Sequence, residues 1–287
     1  MASVSVIIPT HSRPHLLPRA VESAFAAATD VEVVVVDDAS TDATAEVCRT
    51  LKSIRYVRLE HNHGVAGARN AGVLASSAEF IAFLDDDDLR MPGSLDLQLA
   101  VLRDTPDAAL VYGQALISGA TDRFAHDRYP QTCLEGDVFW QLLAQNFIPC
   151  GSVVLRRSCL SSTGLLDESI PGIDDWDLWI RIAATYAVAA LAEPVVSWRR
   201  PSPDSDQSSA RAVEMVALST RQFRRRWLQM PRVTQAPLAM RRKASREFSQ
   251  NMASHLTNEA LRSLSCGKLR YANRCVVAAL RHTFRIL

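Results

Sequence analysis

Residues 1–112 predict an α/β protein: a mostly parallel sheet flanked by helices. Short β-branched runs alternate with helical patterns, one run is apolar almost without interruption, and polar clusters directly follow three of the runs. Val4-Ser5-Val6-Ile7-Ile8 reads as the first strand, closed by Pro9, with an amphipathic helix from Arg13 to Ala28 behind it. Glu32-Val33-Val34-Val35-Val36 reads as a strand covered on both faces. A helix over about 42–51 follows, then a strand at Arg55-Tyr56-Val57-Arg58-Leu59 and a glycine-interrupted helix over about 65–76. Glu79-Phe80-Ile81-Ala82-Phe83-Leu84 is the fourth strand, 93–104 a helix, and Ala109-Leu110-Val111-Tyr112 ends the series. The pattern is less regular from Gln114 to Ser197. Pro201-Ser202-Pro203-Asp204-Ser205-Asp206 reads as a linker, and the remainder as Arg-rich helix.

The 287 residues are 48% apolar and 22% charged, which excludes a disordered chain. No apolar run approaches the roughly 20 residues of a bilayer crossing. The segment Met1-Ala2-Ser3-Val4 lacks the basic and apolar stretches of a secretory signal, so a cytoplasmic protein is expected. Six cysteines without a Cys-x-x-Cys pair suit reduced thiols better than a disulfide frame or zinc site.

The net charge of +1 conceals an asymmetry. Residues 199–287 hold 18 of the 32 Lys+Arg and 5 of the 31 Asp+Glu, a balance of +13 against −12 for residues 1–198. The acidic part suits a cation and the basic part an anionic partner. In the last 21 residues, Arg270, Arg274, Arg281 and Arg285 share one side of a helix, and Leu269, Val276, Leu280 and Leu287 another. Such a helix fits peripheral contact with an anionic membrane. Packing on a domain with the Arg row in solvent fits equally well. Nucleic-acid binding is not expected, because no recognition module accompanies the charge.

In parallel α/β sheets, ligands sit beyond the carboxyl ends of the strands. Thr10-His11-Ser12-Arg13, Asp37-Asp38-Ala39-Ser40-Thr41-Asp42 and Asp85-Asp86-Asp87-Asp88 should therefore converge on one edge. Consecutive carboxylates repel unless a positive charge lies among them, and Mg²⁺ or Mn²⁺ would supply it. The plainer account is a solvated loop whose last Asp caps a helix. Asp42 suits a helix start, whereas Asp38 at a strand end suits a hydrogen bond to a base or ribose. The stretch from Gly64 to Gly72 contains Arg69, a forked donor suited to phosphate, but lacks the Lys-Ser/Thr of a P-loop ATPase.

Taken in order, Ser5-Val6-Ile7-Ile8-Pro9-Thr10, Val35 through Asp42, Gly64 through Gly72 and Phe83-Leu84-Asp85-Asp86-Asp87-Asp88 resemble the family 2 glycosyltransferases, inverting enzymes of the GT-A fold. Gly164-Leu165-Leu166-Asp167-Glu168 and Asp174-Asp175-Trp176-Asp177-Leu178-Trp179-Ile180-Arg181 resemble two further segments of that family. The resemblance implies a GT-A domain over 1–200, with a nucleotide half to about 112 and an acceptor half over 113–200. A basic helical region over 201–287 follows.

By position, the resemblance implies that Pro9, Thr10, His11 and Arg13 line the nucleotide-sugar pocket and that Asp38 bonds the base, usually uracil. Arg69 lies near the nucleotide, and Asp85 and Asp87 are the Asp-x-Asp metal pair. Asp85 or Asp86 lies near the ribose, and Asp175 is the catalytic base. A helix-starting acid is the plainer role for Asp175. Relatives carry a His after the segment matching Trp198-Arg199-Arg200-Pro201; here none follows, and Arg199 or Arg200 stands in as a phosphate contact.

The implied reaction moves a sugar from a nucleoside-diphosphate donor, with a UDP-sugar as the expected donor class, to a hydroxyl of a glycan or lipid-linked acceptor in polysaccharide biosynthesis. A nucleotide-sugar-binding module without turnover and a sugar nucleotidyltransferase are the alternatives. The first releases no product, and the second releases pyrophosphate rather than a nucleoside diphosphate.

Overall fold

The computed structural model describes residues 2–118, 127–199 and 211–283. Two compact units divide the chain. One comprises residues 1–138 and 147–200, the other residues 139–146 and 201–287.

In the first unit, β1 (Val4–Thr10), β2 (Val31–Asp37), β3 (Ile54–Arg58) and β4 (Phe80–Phe83) pair in parallel in the order β3-β2-β1-β4. Every residue of β1 is buried and so are Val33–Asp37 of β2, as expected of central strands covered on both faces. At the edge, β3 leaves Arg55 and Arg58 exposed. The connecting helices are α1 (Leu17–Ala26), α2 (Thr44–Thr50) and α3 (Gly64–Ala75). α1 buries Leu17, Ala20, Val21 and Ala24, a helical stripe. α3 lies so close to the sheet that a Cβ on Gly72 would sit 2.2 Å from Ile7 Cγ2 and 3.1 Å from Val36 Cγ2.

Beyond β4 the sheet becomes mixed. β5 (Leu89–Arg90), α4 (Ser94–Asp104), β6 (Ala108–Ser118) and β7 (Arg128–Tyr129) come next in the chain. After α5 (Phe139–Ala144), which belongs to the second unit, come β8 (Val153–Arg156), α6 (Leu160–Thr163), α7 (Asp174–Ala183) and β9 (Ala187–Arg199). β8 runs antiparallel between β4 and β6, and β6 pairs in parallel with β9. A short strand such as Val153-Val154-Leu155-Arg156 carries too little periodicity to be seen in sequence.

The first helix starts four residues later than its pattern predicts. Pro14 and Pro18 bracket the discrepancy. Pro18 occupies the first turn, where its missing N–H costs nothing, and residues 13–16 form a turn ahead of it. Arg13 is thereby a loop residue.

The second unit holds α5, α8 (Ala212–Arg225), α9 (Pro231–Thr234), α10 (Leu238–Ser265) and α11 (Leu269–Thr283). Phe223 and Phe248 stack at 4.0 Å between ring centroids, and Trp227 meets Phe223 edge-on. Asn251 donates to the Ala144 carbonyl, and the Arg232 guanidinium lies over the Phe139 ring. Residues 139–146, read from sequence with the acceptor half, therefore cluster with the C-terminal helices. The linker reading of 201–206 and residues Arg200, Arg285 and Leu287 fall outside the described residues. No helix among the described residues is long and apolar enough to cross a membrane.

Candidate active site

The ends of β1 and β2 are bound to each other. Asp38 N–H donates to the Thr10 carbonyl at 2.9 Å, and His11 Nδ1–H donates to the Asp38 carbonyl at 2.7 Å. The Asp38 side chain is buried, and its Oδ1 accepts the His63 N–H at 2.7 Å, at the start of α3. Ser12 and Ala39 both have positive φ (53° and 59°) in these loops, and Ser12 N–H donates to Ser40 Oγ. Two non-glycine residues in a sparsely allowed conformation mark a backbone held by its surroundings. Asp37, fully buried, takes Ser40 N–H on Oδ1 and the Tyr56 hydroxyl on Oδ2. Asp42 caps Thr44 N–H, two residues into the turn that starts α2. Pro9 is buried in β1, in register with Val36.

The turn after β4 meets the same edge. Thr10 Oγ1 donates to Asp86 Oδ2 at 2.7 Å, and Arg13 Nη1 reaches Asp86 Oδ1 at 3.0 Å and Asp87 Oδ2 at 3.3 Å. Burial is the main force pushing the Asp86 carboxyl up to about 6; Asp87 adds to it, and Arg13 and Thr10 act against it. Asp88 is buried and accepts the Arg199 N–H at 2.8 Å, while burial and the neighbouring carboxylates push it well above the usual range. It is thus the backbone N–H of Arg199 that meets the acidic turn.

Arg69 ties this turn to α7. It projects from α3 and is buried, with Nη2 2.6 Å from Asp85 Oδ1 and Nη1 3.1 Å from Asp174 Oδ2. Its place is thus between two carboxylates, with the guanidinium committed to both. Asp174 Oδ1 also accepts Gly172 N–H. Asp175 is half-buried, and its Oδ1 takes the Trp176 N–H at 2.6 Å. Burial, then the charge of Asp174, pushes the Asp175 carboxyl up to about 7 against the opposing pull of Arg69. Behind the helix start, Trp176, Trp179, Ile180 and Ala183 are buried, and Arg181 binds Asp177 and the Thr163 and Leu165 carbonyls.

Two participants carry no obvious sequence signal. Asn70 Nδ2 donates to the Leu166 carbonyl and Glu168 Oε1, and Asn70 Oδ1 accepts Leu166 N–H, joining α3 to the Gly164–Glu168 segment. Cys150 lies within electrostatic reach of Arg69, Asp85, Asp174 and Asp175, and burial pushes its thiol well above the usual range. Nothing in the spacing of the six cysteines singles it out.

Among the described residues, no three His, Cys, Asp or Glu side chains form a metal-binding group. What the turn does hold is hard oxygen: Asp85–Asp88 beside the guanidinium groups of Arg13 and Arg69, with Asp86 and Asp88 both pushed up, chiefly by burial. That donor set fits a Mg²⁺ or Mn²⁺ ion held by one or two carboxylates and completed by phosphate oxygens, rather than an all-protein cage.

The sequence model of Glycosyl transferase family 2 matches residues 5–161, more than half of the chain. An uncharacterized glycosyltransferase of Haemophilus influenzae is 25% identical over 180 residues, covering 62% of this chain and 61% of its own length. The succinoglycan biosynthesis protein ExoU of Rhizobium meliloti is 32% identical over 200 residues, covering 64% of this chain and 58% of its own. The matches thus span about three fifths of these relatives. Among solved structures, mannosyltransferase PcManGT from Pyrobaculum calidifontis, in complex with GDP-Man and Mn²⁺, aligns with a TM-score of 0.60 at 18% identity, covering 99% of this chain and 88% of that one. S. aureus TarS 1–349 in complex with UDP-GlcNAc aligns at 0.58 and 16% identity, covering 97% and 91%. With the strand order and the helices around it, these likenesses give the fold as GT-A. The chain belongs to glycosyl transferase family 2.

Proposed function

We propose that this protein transfers a sugar, with inversion, from a nucleoside diphosphate, a UDP-sugar in the first reading, to a hydroxyl of a glycan or lipid-linked acceptor. The observation that carries the reading is the approach of two acidic segments through one buried guanidinium: Asp85 at 2.6 Å and Asp174 at 3.1 Å from Arg69, with Asp175 next in the chain. On this reading, such an arrangement would set a diphosphate-binding turn beside a carboxylate able to take a proton.

Asp38 has Oδ1 engaged by His63 and would meet the base through Oδ2. Thr10 and Arg13 hold Asp86, which on this reading would face the ribose and diphosphate. Asp85 and Asp87 would hold the divalent ion, which when bound neutralises charge on the leaving diphosphate. Asp175 accepts the proton of the acceptor hydroxyl as its oxygen attacks the anomeric carbon from the face opposite the diphosphate. An ordinary Asp, near pKa 3.9, is a weak base at neutral pH. Raised to about 7, Asp175 is matched to the task, which is worth roughly 10²–10⁴ in rate. The printed names of the structural neighbours, bound to UDP-GlcNAc or to GDP-Man with Mn²⁺, support a sugar-nucleotide donor, and the name of the Rhizobium relative supports a glycan acceptor.

Incubation with UDP- and GDP-sugars, Mn²⁺ and mixed glycan or lipid-linked acceptors tests the reading by the product released. A nucleoside diphosphate supports it. Pyrophosphate points to a nucleotidyltransferase, and tight donor binding with no release points to a binding module.

A further inference from the structure

α11 has three faces, and its large aliphatic side chains are on the wrong one for a helix that only packs on its neighbours. At 100° per residue, Ala272, Cys275, Ala279 and His282 fall on one side, and these are the buried residues. Roughly 100° round lie Leu269, Val276 and Leu280, which are 68%, 43% and 49% exposed. Arg270, Arg274 and Arg281 lie roughly 120° further on, all exposed. An amphipathic helix normally turns its large aliphatics to the core. Here the packed face is two alanines, a cysteine and a histidine, and the aliphatic one is left out.

The adjoining turn carries further exposed leucines. α10 and α11 form a helical hairpin about residues 266–268, where Gly267 takes a φ of +73°. Leu261 and Leu264, at the end of α10, are 61% and 48% exposed, so three leucines flank this turn. Exposed apolar side chains gathered near one turn and flanked by charge mark a contact site.

We infer that this face of the α10–α11 hairpin binds an anionic lipid surface, with the leucines entering the interface and the arginines meeting the headgroups. Charge selects this occupant. Residues 199–287 carry 18 Lys+Arg and 5 Asp+Glu, so the same face of a second copy, paired about a two-fold axis, would meet it with like charge, whereas an anionic bilayer complements it. Arg274 already holds Glu214 at 2.6 Å; Arg270 and Arg281 make no ion pair among the described residues and are the two offered to headgroups. The inference concerns this unit alone and stands apart from the transferase reading.

The test is sedimentation of the full chain with vesicles of phosphatidylcholine alone or with 30% (about a third) phosphatidylglycerol, alongside analytical ultracentrifugation without lipid. The expected result is binding to anionic vesicles at least tenfold stronger than to neutral ones. Arg270→Gln with Arg281→Gln should weaken it more than tenfold, and Leu269→Ser with Leu280→Ser should do the same, with far-UV circular dichroism unchanged. Arg49→Gln, exposed on the first unit, should have no effect. Equal sedimentation with and without vesicles would overturn the inference, as would equal binding to both compositions. A dimer that dissociates on Leu269→Ser with Leu280→Ser would also overturn it, by assigning the face to a second copy.

Discussion

Arg69 and Asp174, 105 residues apart in the chain, are joined by a 3.1 Å ion pair in which both side chains are nearly inaccessible. The same guanidinium reaches Asp85, so one residue of α3 fixes the start of α7 against the acidic turn. Removing one partner of a buried pair leaves the other charge uncompensated, at a cost of about 3–5 kcal/mol. Arg69→Met should lower the unfolding free energy by about that amount in urea titrations. Arg69→Lys, which keeps the charge but not the fork, should recover part of it. A loss below about 0.5 kcal/mol would mean the two carboxylates do not depend on it.

Gly72 offers a prediction free of any functional assumption. A methyl group there would lie 2.2 Å from Ile7 Cγ2, in a wall formed by a central strand. Gly72→Ala should therefore cost about 1–3 kcal/mol by overpacking, although Ala is the better helix former. A stability equal to that of the parent chain, measured by the urea midpoint, would show that α3 can lift from the sheet without penalty.

Strong local patterns made much of this visible in the sequence. Continuous apolar runs such as Val33–Val36 announce central strands, and the polar residues after β1, β2 and β4 do meet at one edge. What stayed hidden depends on distant partners. β8 is four residues long and antiparallel between strands from elsewhere in the chain. Arg69 reads as a phosphate donor because a guanidinium suits phosphate and carboxylate alike; only the fold shows that Asp85 and Asp174 engage it. Ser12 and Ala39 have left-handed backbones with no glycine to signal them.

The crowding of Asp85–Asp88 leads to a metal-dependent result. Mn²⁺ with a nucleoside diphosphate should raise the melting temperature more than either does alone, because a ligand bound only to the native state stabilises it. Asp87→Asn should abolish the Mn²⁺-dependent part of that rise in a thermal-shift assay. Retention of the full rise would remove Asp87 from the metal site.

Three raised carboxylates, Asp86, Asp88 and Asp175, set the pH dependence. Asp175 is pushed up to about 7 and Asp86 to about 6, both above the roughly 3.9 of an unfolded Asp. Between those limits the folded state binds more protons than the unfolded one, so stability falls as pH rises from about 4 to about 7. Asp175→Asn should flatten this slope, read from urea midpoints at several pH values. In the same window kcat/KM of the parent should rise with pH, because only the ionised Asp175 accepts a proton.

The most direct test of the transferase reading compares the parent chain with Asp175→Asn under identical donor and Mn²⁺ concentrations, measuring donor affinity by calorimetry and nucleoside-diphosphate release in the presence of acceptor. The expected result is affinity within about twofold and release lowered by roughly 10²–10⁴. Release at the parent rate by Asp175→Asn would contradict the assignment of this carboxylate as the base.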